Sequence, residues 1–198
     1  REVLWVTEGA KEDHESWLCF LRHLKNRGLT GVRLAVSDKC LGLVEALAES
    51  YPEALWQRCA VHFYRNVFSV VPHNRLAEVA MMLKTIHAQE DRQAAEDKIK
   101  VIVAKLSDRK LHAAAKVVSE GAHETLSYYA FPQSHWRHLR TNNPLERIMK
   151  EIRRRTRVVG SFPDGESALM LVAARLRHIS GTRWGIVLVQ EHAKTMRM

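Results

Sequence analysis

Cysteine is scarce in this chain. Its three cysteines, Cys19, Cys40 and Cys59, are an odd number without regular spacing. That excludes a disulfide scaffold and points to a reducing compartment. No uninterrupted apolar stretch approaches the length of a membrane span, so no membrane partner is expected. The opening residues Arg1-Glu2-Val3-Leu4-Trp5-Val6 lack the layout of a signal peptide. Internal repeats, low-complexity tracts and flexible linkers are missing as well. Proline is also sparse. All five, Pro52, Pro72, Pro132, Pro144 and Pro163, fall where one periodic segment gives way to another.

What remains is the composition of a folded soluble protein, 46% hydrophobic and 27% charged over 198 residues. That length suits one domain with a sizeable core, or one domain carrying a large insertion. The net charge of +9 favours polyanionic partners. The charge is concentrated: Pro132 to Arg157 holds eight Lys/Arg and two Glu, a net of +6 in 26 residues. Composition alone fits a nucleic-acid footprint and an exposed basic helix equally well.

Val3 to Val6 reads as a short strand and Asp13 to Arg27 as an amphipathic helix, with Trp17, Phe20, Leu21 and Leu24 on one face and Gly28 as its stop. Val32 to Val36 suits a buried strand ending at Ser37-Asp38. Leu41 to Ser50 reads as a helix and Leu55 to Gln57 as a third strand, an order that predicts an α/β sheet with parallel neighbours. Val61, Tyr64, Phe68 and Val71 share a helical face. From Arg75 to Tyr129 only helical periodicity is present, with stripes at Leu76, Val79, Leu83 and Ile86 and at Ala95, Ile99, Ile102, Val103 and Leu106. This predicts an all-helical insertion. Asn143 and Pro144 fit the N-cap and first position of a further helix that closes at Gly160 and Pro163. The tail from Gly165 to about His192 reads as mostly helical. The expected divisions are an α/β core over 1–71, the insertion over 72–131, and core-completing helices over 132–198.

Several residues invite a chemical reading. Asp38 directly follows an apolar strand, where functional groups gather in open α/β sheets, although Asp also caps helices and makes turns. Glu146 shares a helix face with Lys150, Arg153 and Arg157, and the opposite side, with Leu145, Ile148 and Ile152, is expected to be buried. It can pair with Lys150, or point into a cleft and help hold Mg²⁺ beside bound phosphate. Cys59-Ala60-Val61-His62 is one Cys-x-x-His unit without the second pair that structural zinc requires. Trp136 lies in a basic stretch and fits either base stacking or core packing.

Four blocks together resemble the bacterial transposases of the mutator class, the IS256-like family. They are Arg27 to Asp38, Trp56 to Asn66, Ala130 to Trp136, and Thr141 to Arg147 with its continuation Lys150 to Gly160. The resemblance implies a partial ribonuclease-H-like core, similar to that of retroviral integrases, with an Asp-Asp-Glu metal triad. Asp38 matches the second Asp and Glu146 the Glu, 108 positions apart, across a helical spacer. Cys59 and His62 match a motif near the active site. The implied activity is DNA cleavage and strand transfer at insertion-sequence ends, with Mg²⁺ as cofactor and Mn²⁺ as substitute. Arg147, Lys150, Arg153, Arg154, Arg157 and Trp136 would bind double-stranded DNA in a homo-oligomer on the bacterial nucleoid, in the cytoplasm.

The same resemblance places the first triad Asp, and two strands, ahead of Arg1. The expectation is therefore a catalytic-domain part that is inactive alone and exposes an unpaired edge along Val32 to Val36. Lys39-Cys40-Leu41 before Gly42 departs from the family's usual residues after the second Asp. Two alternatives are a truncated, inactive DNA-binding remnant and a helical protein-interaction module.

Overall fold

The computed structural model describes residues 2–9 and 11–182. The chain order is α1 (His14–Asn26), β1 (Leu34–Ser37), α2 (Leu41–Ser50), β2 (Leu55–Arg58), α3 (Ala60–Phe68), α4 (Leu76–Ile86), α5 (Arg92–Asp108), α6 (His112–Gly121), α7 (Gln133–Leu139), α8 (Asn143–Val159) and α9 (Gly165–Ser180). Short 3₁₀ turns lie at His73–Arg75, His123–Thr125 and Ser127–Ala130. The fold is a mostly helical α/β arrangement, and the expected parallel pairing is present: β1 and β2 run in register from Leu34 opposite Leu55 to Ser37 opposite Arg58. No helix among the described residues is long and apolar enough to cross a membrane.

Local chemistry fixes the helix ends. Asp13 accepts the Ser16 N–H at 3.0 Å to start α1. At the other end Gly28 has φ +94°, and the N–H groups of Gly28 and Leu29 return to the carbonyls of Lys25 and Leu24. That is a Schellman stop, made easy by a residue without Cβ. Asp91 and Asp164 cap α5 and α9 in the same way as Asp13.

Two apolar clusters result. Leu18, Leu21, Ala46, Leu47 and Tyr51 join α1 and α2 beneath the sheet. Phe63 and Val67 of α3, with Val71 just beyond it, enter a larger helical core with Val79, Leu83, Ile86, Ile102, Leu106 and Val118. The periodic stripes of α4 and α5 are thus buried as the sequence predicts, except that Leu76 and Val103 are half-buried.

Four expectations need correction. Val3 to Val6 forms no strand: the Trp5 ring stacks on Phe20 and His23 of α1, and the Leu4 carbonyl accepts from Arg27 at 2.7 Å, so side-chain packing holds this segment. The β1 strand is half-buried along its length rather than buried, because the sheet of the described residues has only two strands. Asn143 is the first residue of α8, preceded by Asn142, which makes no side-chain capping bond. Leu145 is 53% exposed, since α8 packs mainly on α9 and buries Ile148 instead. The tail expected to be helical to His192 is so through Ser180, and residues from 183 onward lie outside the described ones.

Candidate active site

Asp38 is the first residue past β1, at the carboxyl end of the strand, and its side chain is exposed. Its turn is held locally: the Lys39 N–H donates to Asp38 Oδ1 at 2.8 Å, and the Ser37 hydroxyl donates to the Asp38 carbonyl at 2.8 Å. Trp56 Nε1 donates to the same hydroxyl at 2.9 Å, so β2 steadies the turn of β1.

Because Ser37 pairs with Arg58, the next residues on the two strands are Asp38 and Cys59. The Cys59 N–H donates to the Ser37 carbonyl at 2.7 Å. Cys59 is fully buried, and all three cysteines are free thiols.

Cys59 also faces the approach to α8. The Asn142 N–H donates to its Sγ at 3.5 Å, and the Ala60 N–H donates to the Arg140 carbonyl at 3.0 Å. One turn along α3, His62 Nε2 lies 3.2 Å from Glu146 Oε1. The Cys-x-x-His spacing therefore serves a clasp. Its first residue holds the backbone before α8, and its last holds the acid in the first turn of that helix. His62 Nδ1 is buried, with no hydrogen-bond partner among the described residues.

Asp38 and Glu146 are thus each fastened to the β2–α3 junction, one through the strand ladder and one through His62. Among the described residues, no group of three or more His, Cys, Asp or Glu is assembled to hold a metal ion.

The basic helix is divided. Glu151 takes Arg154 through two bonds at 2.8 and 2.9 Å, Arg155 at 3.4 Å, and Arg175 of α9 at 2.6 Å. The Arg154 guanidinium, helped by Arg175 and Arg155, brings the Glu151 carboxyl down to about 2. Arg147, Lys150, Arg153 and Arg157 are exposed, with no ion-pair partner among the described residues. Trp136 donates its indole N–H to the Phe131 carbonyl at 2.7 Å and meets Tyr128 and Tyr129 edge-on.

Sequence reasoning passed over several residues that build this region: Arg140, Asn142, Glu124 and the buried Gln57. Gln57 bridges β2 to the helical segment through the Thr125 carbonyl and the Tyr128 N–H. One signal was available. A buried strand reading Gln57-Arg58 needs polar partners, but nothing in the sequence says which residues supply them.

Comparison with known proteins gives a consistent relationship. The family model described as "Transposase, Mutator family" matches residues 1–183. The transposase for insertion sequence element IS1081 of Mycobacterium tuberculosis is 39% identical over 176 residues, 89% of this chain and 42% of that relative. The transposase for ISRM5 of Rhizobium meliloti is 40% identical over 174 residues, 88% of this chain and 44% of the relative. The transposase for IS256 in transposon Tn4001 of Staphylococcus aureus is 34% identical over 177 residues, 89% of this chain and 45% of the relative. The chain thus spans less than half the length of these three proteins.

Proposed function

The chain belongs to the Mutator family of transposases, and on that premise we propose that it supplies two metal-binding carboxylates, Asp38 and Glu146, to an enzyme that cuts DNA at insertion-sequence ends and joins the freed 3′-hydroxyl to a new phosphodiester. The observation that supports this reading is the run of contacts from the end of β1 through Cys59 to the first turn of α8.

The donors fit Mg²⁺ in kind. Hard divalent cations take carboxylate oxygens, commonly one or two from the protein, with phosphate and water completing the shell. In number the pair is short of a triad among the described residues. A further carboxylate is expected from the longer protein, ahead of Arg1, in a core of ribonuclease-H-like type. A metal held there would activate the attacking oxygen and stabilise the leaving one.

The chain's own residues have separate tasks in this reading. His62 orients Glu146, and the Lys39 N–H orients Asp38. Arg147, Lys150, Arg153 and Arg157 bind the DNA backbone as fixed positive charge, which positions the substrate without reading its sequence. The working unit is a homo-oligomer that brings two DNA ends together.

The test is strand transfer on an oligonucleotide substrate carrying the element's ends, with Mg²⁺. The full-length protein should be active, and its Asp38→Asn and Glu146→Gln variants should lose activity while still binding DNA. Residues 1–198 alone should be inactive, and activity in either carboxylate variant would sink the assignment.

A further inference from the structure

Lys39 directly follows Asp38, and its ammonium is a natural competitor for that carboxylate. The structure sends it elsewhere. Lys39 Nζ lies 2.6 Å from Oε1 of Glu124, a residue of the helical segment 85 positions away. The second oxygen of Glu124 accepts from Arg58 Nη1 at 3.0 Å. The Glu124 side chain is 16% exposed and that of Arg58 only 7%.

This arrangement is firmly built. The Arg58 guanidinium lies 5.3 Å from the centre of the Phe63 ring. Gly121 leaves room for it, because a Cβ there would stand 2.6 Å from Arg58 Nη1. The turn that carries Glu124 is tied to β2 on successive residues. Ser127 donates to the Trp56 carbonyl at 2.6 Å, Gln57 Nε2 donates to the Thr125 carbonyl at 2.7 Å, and the Tyr128 N–H donates to Gln57 Oε1 at 3.0 Å. A buried guanidinium needs a carboxylate partner. Arg58 alone would engage one oxygen of Glu124, which leaves the other for Lys39.

We propose that Glu124 is a positioning residue that keeps the Lys39 ammonium off the Asp38 carboxylate, leaving Asp38 free for a divalent cation. This rests on the reading of Asp38 as a metal-binding acid. It also gives the helical segment a task at the site: it delivers Glu124 to the turn after β1. When Glu124 loses its charge, Lys39 turns to its nearest remaining carboxylate, and the cation must displace it.

The experiment uses the full-length protein with Glu124→Gln, Lys39→Met and the double variant. Two quantities are read: Mn²⁺ affinity from the electron paramagnetic resonance of the free ion, and the Mg²⁺ concentration giving half-maximal DNA cleavage. Glu124→Gln should raise both the dissociation constant and the Mg²⁺ requirement roughly two- to fivefold, the scale of one partly exposed ion pair. Adding Lys39→Met should return both to the parent values, which loss of a merely structural bond would not allow. Where Glu124→Gln does not fold, Glu124→Asp keeps a charge beside Arg58 but falls one methylene short of Lys39, and should shift both in the same direction. Unchanged values in a folded Glu124 variant, or a defect that persists in the double variant, overturn the inference. Asp38→Asn separates the two levels. If it stays active, the metal-site reading itself fails; if it is inactive while Glu124 variants match the parent, only the role of Glu124 fails.

Discussion

His62 Nε2 stands 3.2 Å from Glu146 Oε1, joining α3 to the first turn of α8. The contact gives the Cys-x-x-His unit a mechanical meaning, since the residue three positions earlier receives the Asn142 N–H just before the same helix. His62→Ala should therefore cut strand transfer by about ten- to a hundredfold, the loss common when a group that orients a metal ligand is removed. His62→Gln keeps a donor and should recover much of that loss. Equal damage from both, with unchanged thermal stability, would show that the imidazole does something other than orient Glu146.

The division of the α8 arginines makes a contrast measurable. Arg153→Ala or Lys150→Ala removes an exposed cation that has no ion-pair partner among the described residues. Each should weaken DNA binding and lower the slope of log K against log salt by about one. Arg154→Ala removes a group already held by Glu151 through two bonds, and should leave the slope nearly unchanged. Binding titrations over a salt series decide between them.

Acid should unfold the helical core through His87. Burial, with the nearby Arg140 charge, lowers its imidazole to about 4. The neutral ring lies 3.4 Å from both the Tyr128 hydroxyl and Thr125 Oγ1. The unfolded chain takes up this proton near the ordinary histidine value of about 6.5. Stability from the buried neutral ring is thus complete above that pH and declines toward pH 4, by on the order of 3 kcal/mol if the folded state stays intact. Glu151 adds a second loss at lower pH, between about 4.5 and 2, as its carboxylate protonates. Denaturant melts of the parent and His87→Gln over pH 4 to 7 check the first effect: the variant should show a flatter decline.

Gly42 lies in the first turn of α2, four residues past Asp38. A Cβ there would come within 2.6 Å of the His14 backbone nitrogen and 2.7 Å of the Asp13 carbonyl carbon. Gly42→Ala should therefore force the α1 and α2 N-termini apart and cost about 1–3 kcal/mol. A thermal melt matching the parent would contradict this.

The sequence was clearest where burial follows a simple period. The α2 bounds, the Gly28 stop and the stripes of α4 and α5 were readable because each depends on residues close in sequence. Val3 to Val6 misled because apolar residues in a short run suit a strand and a packed coil equally well; only Phe20, His23 and Arg27 decide, and they belong to another element. Leu145 misled because helical periodicity says which residues share a face but not whether a neighbour covers that face. At the candidate site, Asp38 and Glu146 could be singled out from local context and resemblance. The Glu124, Lys39 and Arg58 cluster could not, because its members lie up to 85 positions apart and follow no motif.

The central claim is that Asp38 and Glu146 bind one divalent cation together. The most direct measurement is the anomalous X-ray signal of Mn²⁺ in crystals of the full-length protein with transposon-end DNA. A Mn²⁺ peak within about 2.0–2.3 Å of a carboxylate oxygen of both residues is the predicted result. A peak bound by neither residue, with the two carboxylates turned to separate surroundings in the DNA-bound state, would contradict it.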